Sequence, residues 1–88
     1  MIFGFQIKAG RGIIRMSQID LGKISGVSVP TIQRIENDEE HAKSATQDTM
    51  NKLSRALEES GVKFIKATDA TGNGAGVRLW TENKKSGD

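Results

Sequence analysis

The stretch from Ser25 to Glu36, SGVSVPTIQRIE, sets a glycine and a proline among apolar residues that otherwise recur at helical spacing. Pro30 cannot occupy a helix interior, because its ring collides with the preceding turn and it has no amide proton to donate. In a first turn that proton would go unused, so proline is tolerated there. Gly26 is free to take the left-handed conformation that ends a helix tightly. The pair therefore predicts one helix ending at Gly26 and a second beginning just after Ser28, a suitable N-cap. Two short helices joined by so brief a turn must meet at a fixed angle.

The flanking periodicity fills in the rest. Phe3, Ile7, Gly10 and Ile14 recur at helical spacing and predict a first helix over Gly4 to about Met16. Gly10 and Gly12 weaken it by roughly 1 kcal/mol each relative to alanine, unless they let a neighbour approach closely. Ser17 caps the second helix, QIDLGKIS, in which Leu21 and Ile24 share a face. In the third helix Ile32 and Ile35 face the core, with Gln33, Arg34 and Asn37 on the other side. NDEEHAKS, Asn37 to Ser44, carries no apolar pattern and is expected to be a loop. Ser44 with Gln47 has the form of a capping box for a fourth helix reaching Ser60, with Met50, Leu53 and Leu57 inward and Gly61 as its stop. Beyond Gly61 the period shortens: VKFI (Val62 to Ile65) and VRLW (Val77 to Trp80) read as strands joined by the glycine-rich KATDATGNGAG. The expected organisation is a helical unit over residues 1–61, a hairpin over 62–80 and a disordered tail over 81–88.

Composition narrows the function. Eighty-eight residues with 35% hydrophobic content make one modest core, and without cysteine neither disulfides nor thiolate metal sites are available. There is no signal-like start and no run of membrane-spanning length, so a cytoplasmic protein is expected. His41, the one histidine, stands in a polar acidic segment with no second histidine to complete a metal site. Nothing marks a nucleophile, base and orienting group, and Ser17 and Ser28 are explained as caps, so no enzyme and no cofactor are expected. TGNGAG precedes a strand, whereas a phosphate loop follows a strand and opens a helix. Charge is unevenly spread: Met1 to Arg34 balances at +4, Ile35 to Ser60 at −4 and Gly61 to Asp88 at +2. Such a chain suits a protein that turns one face to a polyanion.

Gln18 to Asn37, QIDLGKISGVSVPTIQRIEN, has the form of a helix-turn-helix, with Gly22 small where the two helices must nearly touch. The segment Gln6 to Ile65 resembles the helix-turn-helix family of the lambda repressor and Cro type, the XRE family; its strongest piece is SQ, a small residue, GVS, then PTI followed by IE. GVKFI with the later GVRLW resembles short bacterial members in which two strands follow the helices. The implied fold is mainly α, a lambda-repressor-like bundle of about four helices with a C-terminal β-hairpin.

The resemblance implies that the second helix of the motif enters the DNA major groove and that Ser28, Val29, Pro30, Thr31, Gln33 and Arg34 meet base edges. Arg34 suits guanine, Gln33 adenine, and Val29 or the Thr31 methyl a thymine methyl; Val29 and Pro30 depart from the polar residues of some family repressors, leaving readout mostly to Gln33 and Arg34. Arg34 could instead pair with Asp38 four residues on. Gln18 matches the family's phosphate-holding position, and Arg11, Arg15, Lys23 and Asn37 are further phosphate candidates. The expected function is a sequence-specific double-stranded DNA-binding regulator, a repressor working as a homodimer that reaches two half-sites. The hairpin is the expected dimerisation element through Val62, Phe64, Ile65, Val77, Leu79 and Trp80. The alternative is an antitoxin-type interaction module that neutralises a partner toxin and binds DNA to regulate its own operon.

Overall fold

The computed structural model describes residues 1–80, so the tail expected over 81–88 lies outside the described residues. Five helices precede a two-stranded antiparallel sheet: α1 (Gly4–Ile13), α2 (Gln18–Ser25), α3 (Val29–Asn37), α4 (Glu39–Ser44), α5 (Gln47–Glu59), β1 (Val62–Ile65) and β2 (Gly76–Leu79). The mainly helical bundle with a C-terminal hairpin is as expected, with one helix more.

The local signals around Pro30 act as read. Ser17 Oγ accepts the Asp20 amide at 3.0 Å to start α2, and Gly26 ends it in the left-handed region at φ 78°. Ser28 Oγ accepts the Thr31 amide at 3.4 Å, and Pro30 lies in the first turn of α3. The first helix stops short of the expected Met16. Arg15 takes a positive φ of 58° while the Met16 amide reaches back to Arg11 O at 2.9 Å, which closes the helix after Ile13.

The acidic segment is a correction: Asn37 to Ser44 is not a loop but ends α3 and forms α4. Asp38 Oδ1 accepts the Glu40 amide at 3.0 Å, Glu39 and Glu40 sit in the first turn, and His41 and Lys43 in the last. Caps and charges matched to the helix ends support a short helix that needs only Ala42 as its buried anchor. The capping box moves with it. Ser44 belongs to the end of α4, bonded to His41 O at 2.9 Å, and α5 is capped instead by Thr46, whose Oγ1 accepts the Thr49 amide at 3.1 Å.

Ile7, Leu21, Ile32, Ile35, Leu53 and Leu57 are fully buried and form one core to which every helix except α4 contributes a large side chain. α1 is pressed close on two sides. A Cβ on Gly4 would collide with the Ile35 carbonyl of α3, and one on Gly10 would stand 3.3 Å from both Leu57 and Val62. Gly12 meets nothing within 4 Å, so its cost to α1 is uncompensated.

The strands pair Val62 with Leu79, Lys63 with Arg78, Phe64 with Val77 and Ile65 with Gly76. Directly opposed residues share a face, so Val62, Phe64 and Val77 turn inward against the core while Lys63 and Arg78 turn out. Gln6, fully buried, fixes this sheet to α1. Its Nε2 donates to Ile65 O at 2.9 Å and Gly76 O at 3.0 Å, and its Oε1 accepts the Phe3 amide at 2.8 Å. The connecting loop closes on Asp69, which accepts from the Thr71 amide and hydroxyl and from the Asn73 amide and side chain. Those bonds hold the Asp69 carboxyl down at about 2.

Candidate nucleic-acid interface

α2, the turn Gly26–Ser28 and α3 form a two-helix unit whose inner faces are apolar and whose outer faces carry polar and basic groups, together with Ile19 and Ile24 of α2, which are exposed rather than buried beside Leu21. Leu21, Val27, Ile32 and Ile35 seal it from below. Gly22 permits the close approach, since a Cβ there would stand 3.1 Å from Val27 O and 3.5 Å from the Val29 side chain.

On the outer face of α3, Pro30, Gln33, Arg34 and Asn37 are exposed, Val29 and Thr31 half-buried. Ser28, also exposed, turns its hydroxyl onto Thr31 Oγ1 at 2.9 Å. The alternative pairing of Arg34 with Asp38 does not form: among the described residues the ion pairs are Arg11–Glu36, Lys43–Glu40 and Lys52–Asp48, and neither Arg34 nor Gln33 spends its side chain on an internal hydrogen bond. A guanidinium and a primary amide thus project from one face, a turn beyond the helix start, with their donors available to a ligand.

Beneath that face lies a network that reading the sequence did not find. Glu36, whose side chain is 1% accessible, accepts from Arg11 Nε at 2.7 Å and Nη2 at 2.8 Å and from Gln18 Nε2 at 3.1 Å, while Arg11 Nη1 donates to Met16 O at 2.9 Å. Hydrogen bonding to Glu36 raises the Arg11 pKa further, with burial acting the other way. One carboxylate on α3 therefore ties down the end of α1 and the start of α2. The signal available was a glutamate beside Ile35 on the inward side of α3, with an arginine at the end of α1 to neutralise it. Among the expected phosphate residues, Arg11 and Gln18 belong to this network, whereas Arg15, Lys23 and Asn37 are exposed and take no part in it.

A second carboxylate was missed because its segment was read as a loop. Glu39 accepts the Gly4 amide at 3.0 Å and the Phe5 amide at 2.9 Å, capping α1 from α4 where Phe3 has no side-chain acceptor to offer.

The helix-turn-helix family matches residues 7–64, about two thirds of the chain. The chain belongs to the XRE-type, lambda-repressor-like helix-turn-helix family. No curated protein matches it. This regulator is thus a DNA-binding transcription regulator of XRE type, built on a regulatory rather than a catalytic domain. Among its described residues no helix is long and apolar enough to cross a membrane.

The matched region of the regulator stops inside β1, so the hairpin falls mostly outside it. There the structure divides the expected dimerisation residues. Val62 is buried and Phe64 and Val77 pack against the core; Ile65 is half-buried, and Leu79 and Trp80 are exposed. The Lys63 ammonium stands 4.3 Å over the Trp80 ring, and the Trp80 amide donates to Gly61 O at 2.6 Å.

Proposed function

We propose that this protein is a sequence-specific repressor that binds double-stranded DNA as a homodimer in the cytoplasm, with α3 as the helix that enters the major groove. The observation that carries this reading is the pair Gln33 and Arg34, exposed on α3 with their donors unspent inside the protein. Arg34 takes the bidentate position on guanine and Gln33 the adenine edge. Ser28, Val29, Pro30 and Thr31 form the part of α3 nearest the bases. Gln18, held by Glu36, presents the rest of its amide to a phosphate, with Arg11, Arg15, Lys23 and Asn37 as the further phosphate residues.

A single reading helix covers little DNA, so high affinity calls for two copies. The hairpin supports that role. Among the described residues its sheet has two strands, each with one edge that pairs with no other strand, and Leu79 is 54% exposed at its open end.

The reading is tested by anisotropy titration of a duplex chosen from random sequence against a scrambled one, across salt concentrations, for wild type and Arg34→Ala. The expected result is sequence-dependent binding that Arg34→Ala weakens by about 1–3 kcal/mol while relaxing preference at one base pair. Equal binding of both duplexes, lost at moderate salt and untouched by the substitution, would leave electrostatic attraction alone.

A further inference from the structure

Of the asparagines Asn37, Asn51, Asn73 and Asn83, only Asn73, in the loop between the strands, is followed by a glycine, Gly74. An asparagine side chain can react with the backbone nitrogen of the next residue, and a glycine there has no side chain to stand in the way. Both residues are exposed, and the Gly74 amide donates to no acceptor among the described residues. Asn73, by contrast, is held at every polar group but one. Its Nδ2 donates to Asp69 Oδ2 at 2.8 Å and its backbone amide to Asp69 Oδ1 at 3.3 Å, while its carbonyl accepts the Thr68 amide at 2.6 Å and the Thr68 hydroxyl at 3.0 Å. The nucleophile is free and the group it would attack is tethered.

We propose that Asn73–Gly74 is a site of self-modification by deamidation, held back by Asp69 while the loop is closed, and that its conversion unlocks the loop irreversibly. In the reaction the Gly74 nitrogen gives its proton to water or hydroxide and bonds to Asn73 Cγ; the bond from Cγ to Nδ2 breaks and ammonia leaves. Water then opens the resulting succinimide at either carbonyl, giving aspartate or isoaspartate at position 73. Closing the ring moves Cγ and the nitrogen it carries, so the bond to Asp69 has to give first. Afterwards no N–H remains there to donate. A carboxylate faces the Asp69 carboxylate where a hydrogen bond stood at 2.8 Å, and two like charges that close repel. Isoaspartate goes further, because it takes the carbonyl that Thr68 bonds out of the main chain. The strands this loop joins are those assigned above to dimerisation, but the modification does not depend on that assignment.

The test uses the full chain, aged at neutral pH and physiological temperature and sampled by peptide mass mapping, with isoaspartate scored by enzymatic methylation. Conversion is expected at Asn73 ahead of Asn37 and Asn51, and Asp69→Ala should speed it about threefold, the modest worth of a solvent-exposed hydrogen bond. Asn73→Asp, made directly, should raise hydrogen exchange at the Thr68 amide about tenfold while the Leu53 and Leu57 amides keep their protection, since a hydrogen bond is exchanged for a like-charge contact. If Asn73 converts no sooner than Asn37 and Asn51, the site is refuted. If it converts at the same rate in Asp69→Ala, the hold by Asp69 is refuted, and unchanged exchange at Thr68 in Asn73→Asp refutes the unlocking. Ageing of the wild type decides the site even if Asp69→Ala does not fold.

Discussion

Consider separating Arg11 from Glu36. The Glu36 side chain is 1% accessible and Arg11 17%, so the two substitutions leave different things behind. Arg11→Met strands a carboxylate that solvent cannot reach, held only by Gln18 at 3.1 Å. Breaking a buried pair in this way costs about 3–5 kcal/mol. Glu36→Leu strands a guanidinium that can be partly rehydrated and keeps its bond to Met16 O, which places it below that range, at about 2 kcal/mol. A chain of 88 residues is stable by roughly 4–13 kcal/mol, so both variants fold at 25 °C in all but the weakest case. Combining the two substitutions removes both charges and leaves apolar groups of similar volume, which is often close to neutral. Urea unfolding followed by circular dichroism on the wild type, the two single variants and the double variant should therefore give a double-variant cost well below the sum of the singles, with Arg11→Met the worse single. Additive costs, or singles each below about 1 kcal/mol, would refute the idea that this carboxylate holds three helices together.

Two glycines of α1 should respond in opposite directions to alanine. Gly4→Ala drives a methyl into the Ile35 carbonyl and is expected to cost about 1–3 kcal/mol, whereas Gly12→Ala meets open space and should gain up to about 1 kcal/mol, both read from thermal melts. Arg15→Gly should relieve the left-handed backbone by about 1 kcal/mol while lowering the salt slope of DNA binding by about 1 if Arg15 holds a phosphate. The Asp69 carboxyl sits at about 2 in the folded protein, below the ordinary aspartate value of 3.8, so its contribution is present above the latter value and lost as pH falls through the former. In NMR spectra the Thr71 and Asn73 amides should shift with a midpoint near 2; a midpoint near the ordinary carboxylate value would refute the closed loop.

The parts of this molecule that were legible in the sequence are those fixed by neighbours in the chain. Gly26, Ser17, Ser28 and Pro30 act within a turn of themselves, so the boundaries of α2 and α3 followed from residue types alone. What escaped was settled across the fold. α4 hides because a single alanine anchors it and its acids look like a solvated loop until Glu39 is found capping the start of α1. Gln6 gives no local sign of spanning two carbonyls of the hairpin, about 60 and 70 residues away. Glu36 looks like one more charge on a helix until Arg11 lies beside it. The exposed face of α3 was legible for the complementary reason, since residues that are not wanted inside are left outside by the spacing of Ile32 and Ile35.

In the proposed dimer, the Gln6 clamp has a bearing on the spacing of the two half-sites. Gln6 fastens the sheet to α1, and Arg11 fastens α1 to α3 through Glu36, so the hairpin and α3 are tied to the same helix. Two copies joined at their hairpins would hold their reading helices at a set separation and rotation, like the jaws of a fixed gauge. Inserting one base pair between half-sites shifts the second by about 3.4 Å and turns it about the duplex axis, and such a gauge has no joint with which to follow.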